Sequence, residues 1–323
     1  MLLLVFLLSG CAGLMRDIEV NHLAQNKQHH DVIRILQWNV DQKKPISSFQ
    51  LYLLANAYYE IRDDENMLKA TALLEEQLSR GDTRYYGADF SVYPGILRGY
   101  ASLDQGDYEK AVKEATEAYT ILKRSGDTSN GFYQSQLIDI MGILGIAHAC
   151  LNNDAEADRC LDVLRSADIQ GILGPEKFFA IARVHMARKQ YQQALLAIRD
   201  PAAEVSVPAV DLDDETFQGL SKVFILTKSL YETGQMKEAR EGYDALLKHP
   251  RIKQVGGLYW PMLLDRARIA RAEGQDKVAE ALLRVAVDAI ERERSSITSE
   301  AGRTGYAGDK QAVYQELTKW RTE

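Results

Sequence analysis

Along most of the chain, apolar residues return every three or four positions, and short breaks rich in Gly, Asp or Asn interrupt them at intervals. The pattern is clearest from Leu97 to Ala118, L-R-G-Y-A-S-L-D-Q-G-D-Y-E-K-A-V-K-E-A-T-E-A. Here Gly99 is a small residue where two helices cross and Gly106-Asp107 is a turn. Tyr108, Ala111, Ala115 and Ala118 then keep the i, i+3, i+4 spacing of a buried helical stripe. Alternating period-2 runs are nearly absent, so an all-α protein is expected.

Variants of this unit fill the sequence. With the alanine near the start of each second helix as a ruler, Ala70, Ala111, Ala157, Ala194, Ala239 and Ala279 stand 41, 46, 37, 45 and 40 residues apart. The spacing predicts seven helical hairpins: 17–38, about 47–79, one around 97–118, about 135–166, then 178–195, 226–243 and 267–283. Loops fall at Gly81–Phe90, Gly126–Gly131, Gly171–Pro175, Pro201–Asp214 and His249–Gly257, where Gly, Pro, Ser, Asp or Thr collect. A hairpin with an apolar stripe on both sides cannot bury it alone, so neighbours must stack.

The spacing of small residue, turn glycine, aromatic residue and alanines resembles the tetratricopeptide repeat, although the intervals exceed its usual length of about 34 residues. The resemblance implies a right-handed α-solenoid over 17–295, closed by a capping helix over 296–323. It also implies that first-helix positions line a concave groove for a protein or peptide partner. Those positions are Tyr52, Asn56, Tyr59, Glu60, Tyr93, Tyr100, Asp104, Arg183, Met186, Lys228, Tyr231, Glu232, Arg268 and Arg271. Tyrosines collect toward the N-terminal half and cations toward the C-terminal half, a lining of large contact area and forked donors suited to a polypeptide.

The first residues have another character. M-L-L-L-V-F-L-L-S-G-C-A-G is apolar through Leu8 and then turns small. Eight apolar residues cannot span a hydrocarbon core of ~30 Å as a helix, but they fit the apolar region of a signal peptide. Leu8-Ser9-Gly10-Cys11 resembles the bacterial lipobox. That resemblance implies a signal peptide over 1–10, a tether over 11–16 with lipid on Cys11, and a place in the cell envelope. Ala12 in place of aspartate implies the periplasmic face of the outer membrane in a Gram-negative host. The region before Leu2 lacks the basic residues of such a leader.

Composition narrows the function. A formal charge of −7 over 323 residues gives no basic footprint for nucleic acid. Seven prolines and the lack of long polar runs leave little room for disordered linkers. Six histidines form no H-x3-H or H-E-x2-H pair, and His148 and His185 occupy the tyrosine position of their repeats, as packed core residues. Cys150 and Cys160 read as two buried free thiols. No P-loop, G-x-S-x-G or G-x-G-x2-G occurs, so no cofactor, metal or catalytic residue is expected.

Residues Ile290–Glu300, Arg303, Tyr306 and Lys310–Leu317 resemble the connector that follows tetratricopeptide arrays in bacterial proteins with a CHAT domain, a caspase-like peptidase. No peptidase domain follows it before Glu323. The alternative to that kinship is a helix that caps the last repeat with Tyr306, Val313, Tyr314 and Leu317. Two functions stay open: a non-enzymatic, membrane-tethered scaffold in an envelope or secretion assembly, or a regulatory, substrate-recruiting subunit for a CHAT-type peptidase encoded separately.

Overall fold

In a computed structural model of the chain, the structure describes residues 19–26, 28–85, 87–125, 130–169, 173–200, 217–254, 256–296 and 310–322. The signal peptide, the 11–16 tether with Cys11, Tyr306 and the loop 201–214 lie outside these residues. Helices account for most of the described chain. They are α1 over 19–25, α2 His29–Asp41, α3 Ser48–Glu60, α4 Asp64–Ser79, α5 Tyr93–Asp104, α6 Tyr108–Ser125, α7 Gly131–Cys150 and α8 Asp154–Ser166. After them come α9 Gly174–Ala187, α10 Tyr191–Ile198, α11 Phe217–Glu232, α12 Met236–Lys248, α13 Gly256–Ala272, α14 Asp276–Ser296 and α15 Gln311–Thr322. The expected loop at Gly81–Phe90 holds a small exception, two-residue strands Arg84–Tyr85 (β1) and Ala88–Asp89 (β2) paired antiparallel.

The helices pack as antiparallel pairs, α3 on α4, α5 on α6, α9 on α10, α11 on α12 and α13 on α14. One turn geometry joins the pairs from α3/α4 onward. Arg62, Gly106, Asn152, Lys189, Gly234 and Gly274 each take a left-handed backbone, with φ between 56° and 82°. Each donates its N–H to the carbonyl three residues back at 2.9–3.1 Å, and the next residue reaches the carbonyl five back at 2.8–2.9 Å. This pair of hydrogen bonds satisfies carbonyls that a helix end would otherwise leave unpaired, and the next helix starts two residues after the left-handed one.

These turns give a better ruler than the alanines. Five residues past each left-handed residue stand Met67, Ala111, Ala157, Ala194, Ala239 and Ala279, all with no exposed surface. The equivalent residue of the second hairpin is therefore Met67, not Ala70. Counted from the turns, the first interval is 44 residues and the others stand. Small residues also set close approaches: a Cβ on Gly95 would lie 2.9 Å from the Glu114 carbonyl oxygen, and one on Gly99 would lie 3.2 Å from the Ile143 side chain.

The described residues divide into two compact units between Val163 and Leu164. In the first, Ser47 opens α3 with a capping box shared with Gln50, and the Tyr58 hydroxyl donates to Gln37 on α2 at 2.9 Å. Its core runs through Leu54, Leu74, Phe90, Leu122, Ile140, Ile143 and Leu161. In the second, a core from Phe179 through Leu226, Leu230, Tyr243, Met262 and Leu283 ends on Val313 of α15. Tyr314, Leu317 and Trp320 pack partly buried against that core, so α15 closes the second unit.

Candidate protein-binding face

The turn register places the sequence-predicted residues on equivalent positions. Six residues before the left-handed one stand Asn56, Tyr100, Ile146, Arg183, Lys228 and Arg268; three before it stand Tyr59, Leu103, Ala149, Met186, Tyr231 and Arg271. Two sites three apart share one side of a helix. Within each unit successive first helices touch, α3 with α5 and α5 with α7, then α9 with α11 and α11 with α13. Glu60, Asp104 and Glu232 stand one residue further along, and Tyr52 and Tyr93 lie on the earlier turns of α3 and α5.

In the first unit these residues form a tyrosine ladder. Tyr52 and Tyr93 stack with centroids 3.9 Å apart, and Tyr59 and Tyr100 at 5.1 Å. The Tyr100 hydroxyl donates to Asp139 on α7 at 2.6 Å. Tyr52 and Tyr93 share a hydrogen bond, and Tyr93 shares another with Gln136. Burial, followed by the charge of Asp139, raises the Tyr52 hydroxyl pKa; burial raises Tyr93 well above its ordinary value. Tyr59, Glu60, Tyr93 and Tyr100 are buried, whereas Tyr52 and Asn56 are half-buried. Arg62, beside Tyr59, pairs with Asp104 at 2.6 Å. Burial works against its charge, but Asp104 and Asp64 outweigh that and raise its pKa.

In the second unit the hub is Asp265, 1% exposed. Its carboxylate accepts from the Lys228 ammonium at 2.8 Å and the Tyr243 hydroxyl at 2.8 Å, and pairs with Arg268 at 3.4 Å. Lys228 also meets Glu232 at 2.6 Å and sits over the ring of Tyr231, 5.2 Å from its centroid. Burial disfavours the Lys228 charge, yet Asp265 and Glu232 together more than offset it and raise the pKa. Arg183 lies 5.6 Å from the Phe179 ring centroid, and Met186 packs partly buried on the core. Arg268 and Arg271 are both met by the C-terminal helix: Glu316 accepts from the Arg268 Nε at 2.9 Å, and Arg271 lies 4.6 Å over Trp320.

Asp139, Gln136, Asp265, Glu316 and Trp320 were missed by reading the sequence alone. Asp265 carried a signal, an acid in the otherwise apolar run M-L-L-D, one turn before Arg268. His185 is buried between Gln190, 2.7 Å from its Nδ1, and Arg165, 3.1 Å from its Nε2, while His148 is half-buried with its pKa lowered by burial. Cys150 and Cys160 are free, one half-buried and one buried; burial raises both thiols, Cys160 to about 11. Among the described residues no three His, Cys, Asp or Glu side chains gather as a metal site, and no helix is long and apolar enough to cross a membrane.

The fold and this face define an all-α protein of stacked helical hairpins. Neither a protein-family model nor a curated protein sequence matches the chain. A solved structure to which it is similar is the C-terminal part of a TPR repeat-containing protein from Cytophaga hutchinsonii, at 13% identity and a TM-score of 0.36, over 90% of this chain and 98% of that one.

Proposed function

We propose that the protein is a non-enzymatic scaffold that binds a protein or peptide segment on the first-helix face, tethered to a membrane of the bacterial envelope through a lipid on Cys11. One observation carries the binding reading. The two equivalent positions before each turn are filled mostly by aromatic, amide or cationic side chains, and Asn56, Arg183, Met186, Lys228, Tyr231, Arg268 and Arg271 each keep part of their surface exposed. The positions five residues past the same turns are small or apolar and fully buried. Side chains of that kind on a packed scaffold offer contact area and donors without local folding cost. The tether rests on the leader pattern and Cys11 alone.

The face is best probed at half-buried sites, because Tyr59 and Tyr100, 4% and 9% exposed, belong to the core and their truncation would unfold the ladder. A tagged chain is used to capture its partner from detergent-solubilised envelope. Asn56→Arg in the first unit, Arg183→Glu in the second and the double variant are compared; the single variant in the unit that holds the site, and the double variant, are expected to lose that partner while keeping the unfolding midpoint. Full capture by the double variant places the site elsewhere. Cys11→Ser is expected to release the chain from the membrane fraction; a variant that still pellets like the parent removes the tether.

A further inference from the structure

Resting on that binding reading, we propose that α15 is an internal ligand of the arginine end of the face. The external ligand it mimics is a helical segment carrying a carboxylate and, one turn later, an aromatic ring. Arg268 and Arg271 occupy the same two positions as Arg183 and Met186, and as Lys228 and Tyr231, in the preceding hairpins. In the last hairpin both are engaged from outside their own pair, by residues four apart on α15. Glu316 takes two bonds from the Arg268 guanidinium, through Nε at 2.9 Å and through Nη2. The Arg271 guanidinium lies over the Trp320 ring, 4.6 Å from its centroid. Residues i and i+4 share a helix side, so any helix with this pair can present both groups together.

The way α15 is held sets it apart from the hairpin helices. Helix α14 buries Ala279, Leu283, Ala286, Ala289 and Ile290, whereas among the described side chains of α15 only Val313 is buried. Tyr314, Leu317 and Trp320 are partly covered, and polar contacts add to its grip, among them Glu316 on Arg268 and the Tyr314 hydroxyl on Glu291. An element with so little buried surface opens at lower cost than the core, and its polar contacts can be exchanged one for one by a ligand of the same chemistry.

The test uses the full chain and a labelled peptide with the sequence of residues 310–322. In the chain carrying Glu316→Gln and Trp320→Ala, which keeps Val313, the peptide is expected to bind at least tenfold tighter than in the parent. Adding Arg268→Gln and Arg271→Gln is expected to abolish that gain, as is replacing the glutamate and tryptophan of the peptide. Equal affinity for parent and opened chain, or a gain that survives loss of both arginines, overturns the proposal. So does an opened chain that has lost its cooperative unfolding transition, because α15 is then part of the core and not a ligand. If partner capture through Asn56 and Arg183 persists while the peptide fails, only the internal-ligand reading falls.

Discussion

Gly95→Ala isolates the packing logic of the hairpins. Gly95 lies in the first turn of α5, and a Cβ there would stand 2.9 Å from the Glu114 carbonyl oxygen, 3.0 Å from the Ala118 Cβ and 3.6 Å from the Ala118 Cα. Two of these obstacles are backbone atoms and the third is an alanine, so no rotamer change relieves the overlap; α5 must move off α6. Overpacking of this kind costs ~1–3 kcal/mol. The better helix propensity of alanine returns at most ~1 kcal/mol, and less in a first turn. A net loss of about 1–2 kcal/mol follows, at ~2–4 °C of melting temperature per kcal/mol for a unit of this size. Gly99→Ala is the control, because its Cβ meets only the Ile143 side chain at 3.2 Å, which needs to give by just a few tenths of an ångström. It is expected within about 0.5 kcal/mol of the parent, the contact and the propensity gain nearly cancelling. Urea unfolding followed by circular dichroism measures both. A Gly95→Ala chain as stable as the parent, beside a strongly destabilised Gly99→Ala, would refute the register of α5 on α6 and α7.

Lys189 holds a left-handed backbone with φ 56°, so Lys189→Gly is expected to raise stability by ~0.5–1 kcal/mol and Lys189→Val to lower it, both read from thermal melts. Asp265→Asn removes the charge that Lys228 and Arg268 share and is expected to cost about 3 kcal/mol, the scale for breaking a buried pair; an unchanged midpoint contradicts the hub. The hydroxyls of Tyr52, Tyr93 and Tyr243 have pKa values raised by burial, and the Lys228 ammonium is raised by Asp265 and Glu232 against its burial. Above pH ~10 the unfolded chain therefore holds fewer protons than the folded one, so stability is full below that pH and falls as pH rises. In an alkaline titration their phenolate absorbance should emerge together with unfolding; smooth ionisation of all tyrosines in the folded chain contradicts this burial. The Cys160 thiol, pushed up to about 11, should resist alkylation at neutral pH in the native chain and react once unfolded.

The hairpins were legible because each leaves two marks in the sequence, a stripe at helical spacing and a break. The second mark is uneven. Gly106, Gly234 and Gly274 announce a left-handed turn and Asn152 does so more weakly, but Arg62 and Lys189 take the same backbone and carry no such signal. The register slipped to Ala70 for a related reason, since Met67 fills a position where a small side chain is the usual marker. The face was legible as a set of positions but not as a set of exposures. Whether Tyr59 and Tyr100 look outward or stack on each other depends on how far α3 stands from α5, which no local pattern encodes. The pairing of Arg268 with Glu316 joins residues 48 apart in sequence, and only the packing of α15 brings them together.

Site-specific photo-crosslinking tests the central claim most directly. A crosslinking residue is placed at Asn56 or Arg183 on the first-helix face, and in parallel at Leu196 or Val278, which are 65% and 46% exposed on second helices. After irradiation in intact envelopes, mass spectrometry identifies the adducts. The account predicts a polypeptide partner joined from the first-helix face of at least one unit, at Asn56 or at Arg183, and absent from Leu196 and Val278. The same partner joined from the second-helix sites and not from the first-helix face would contradict it.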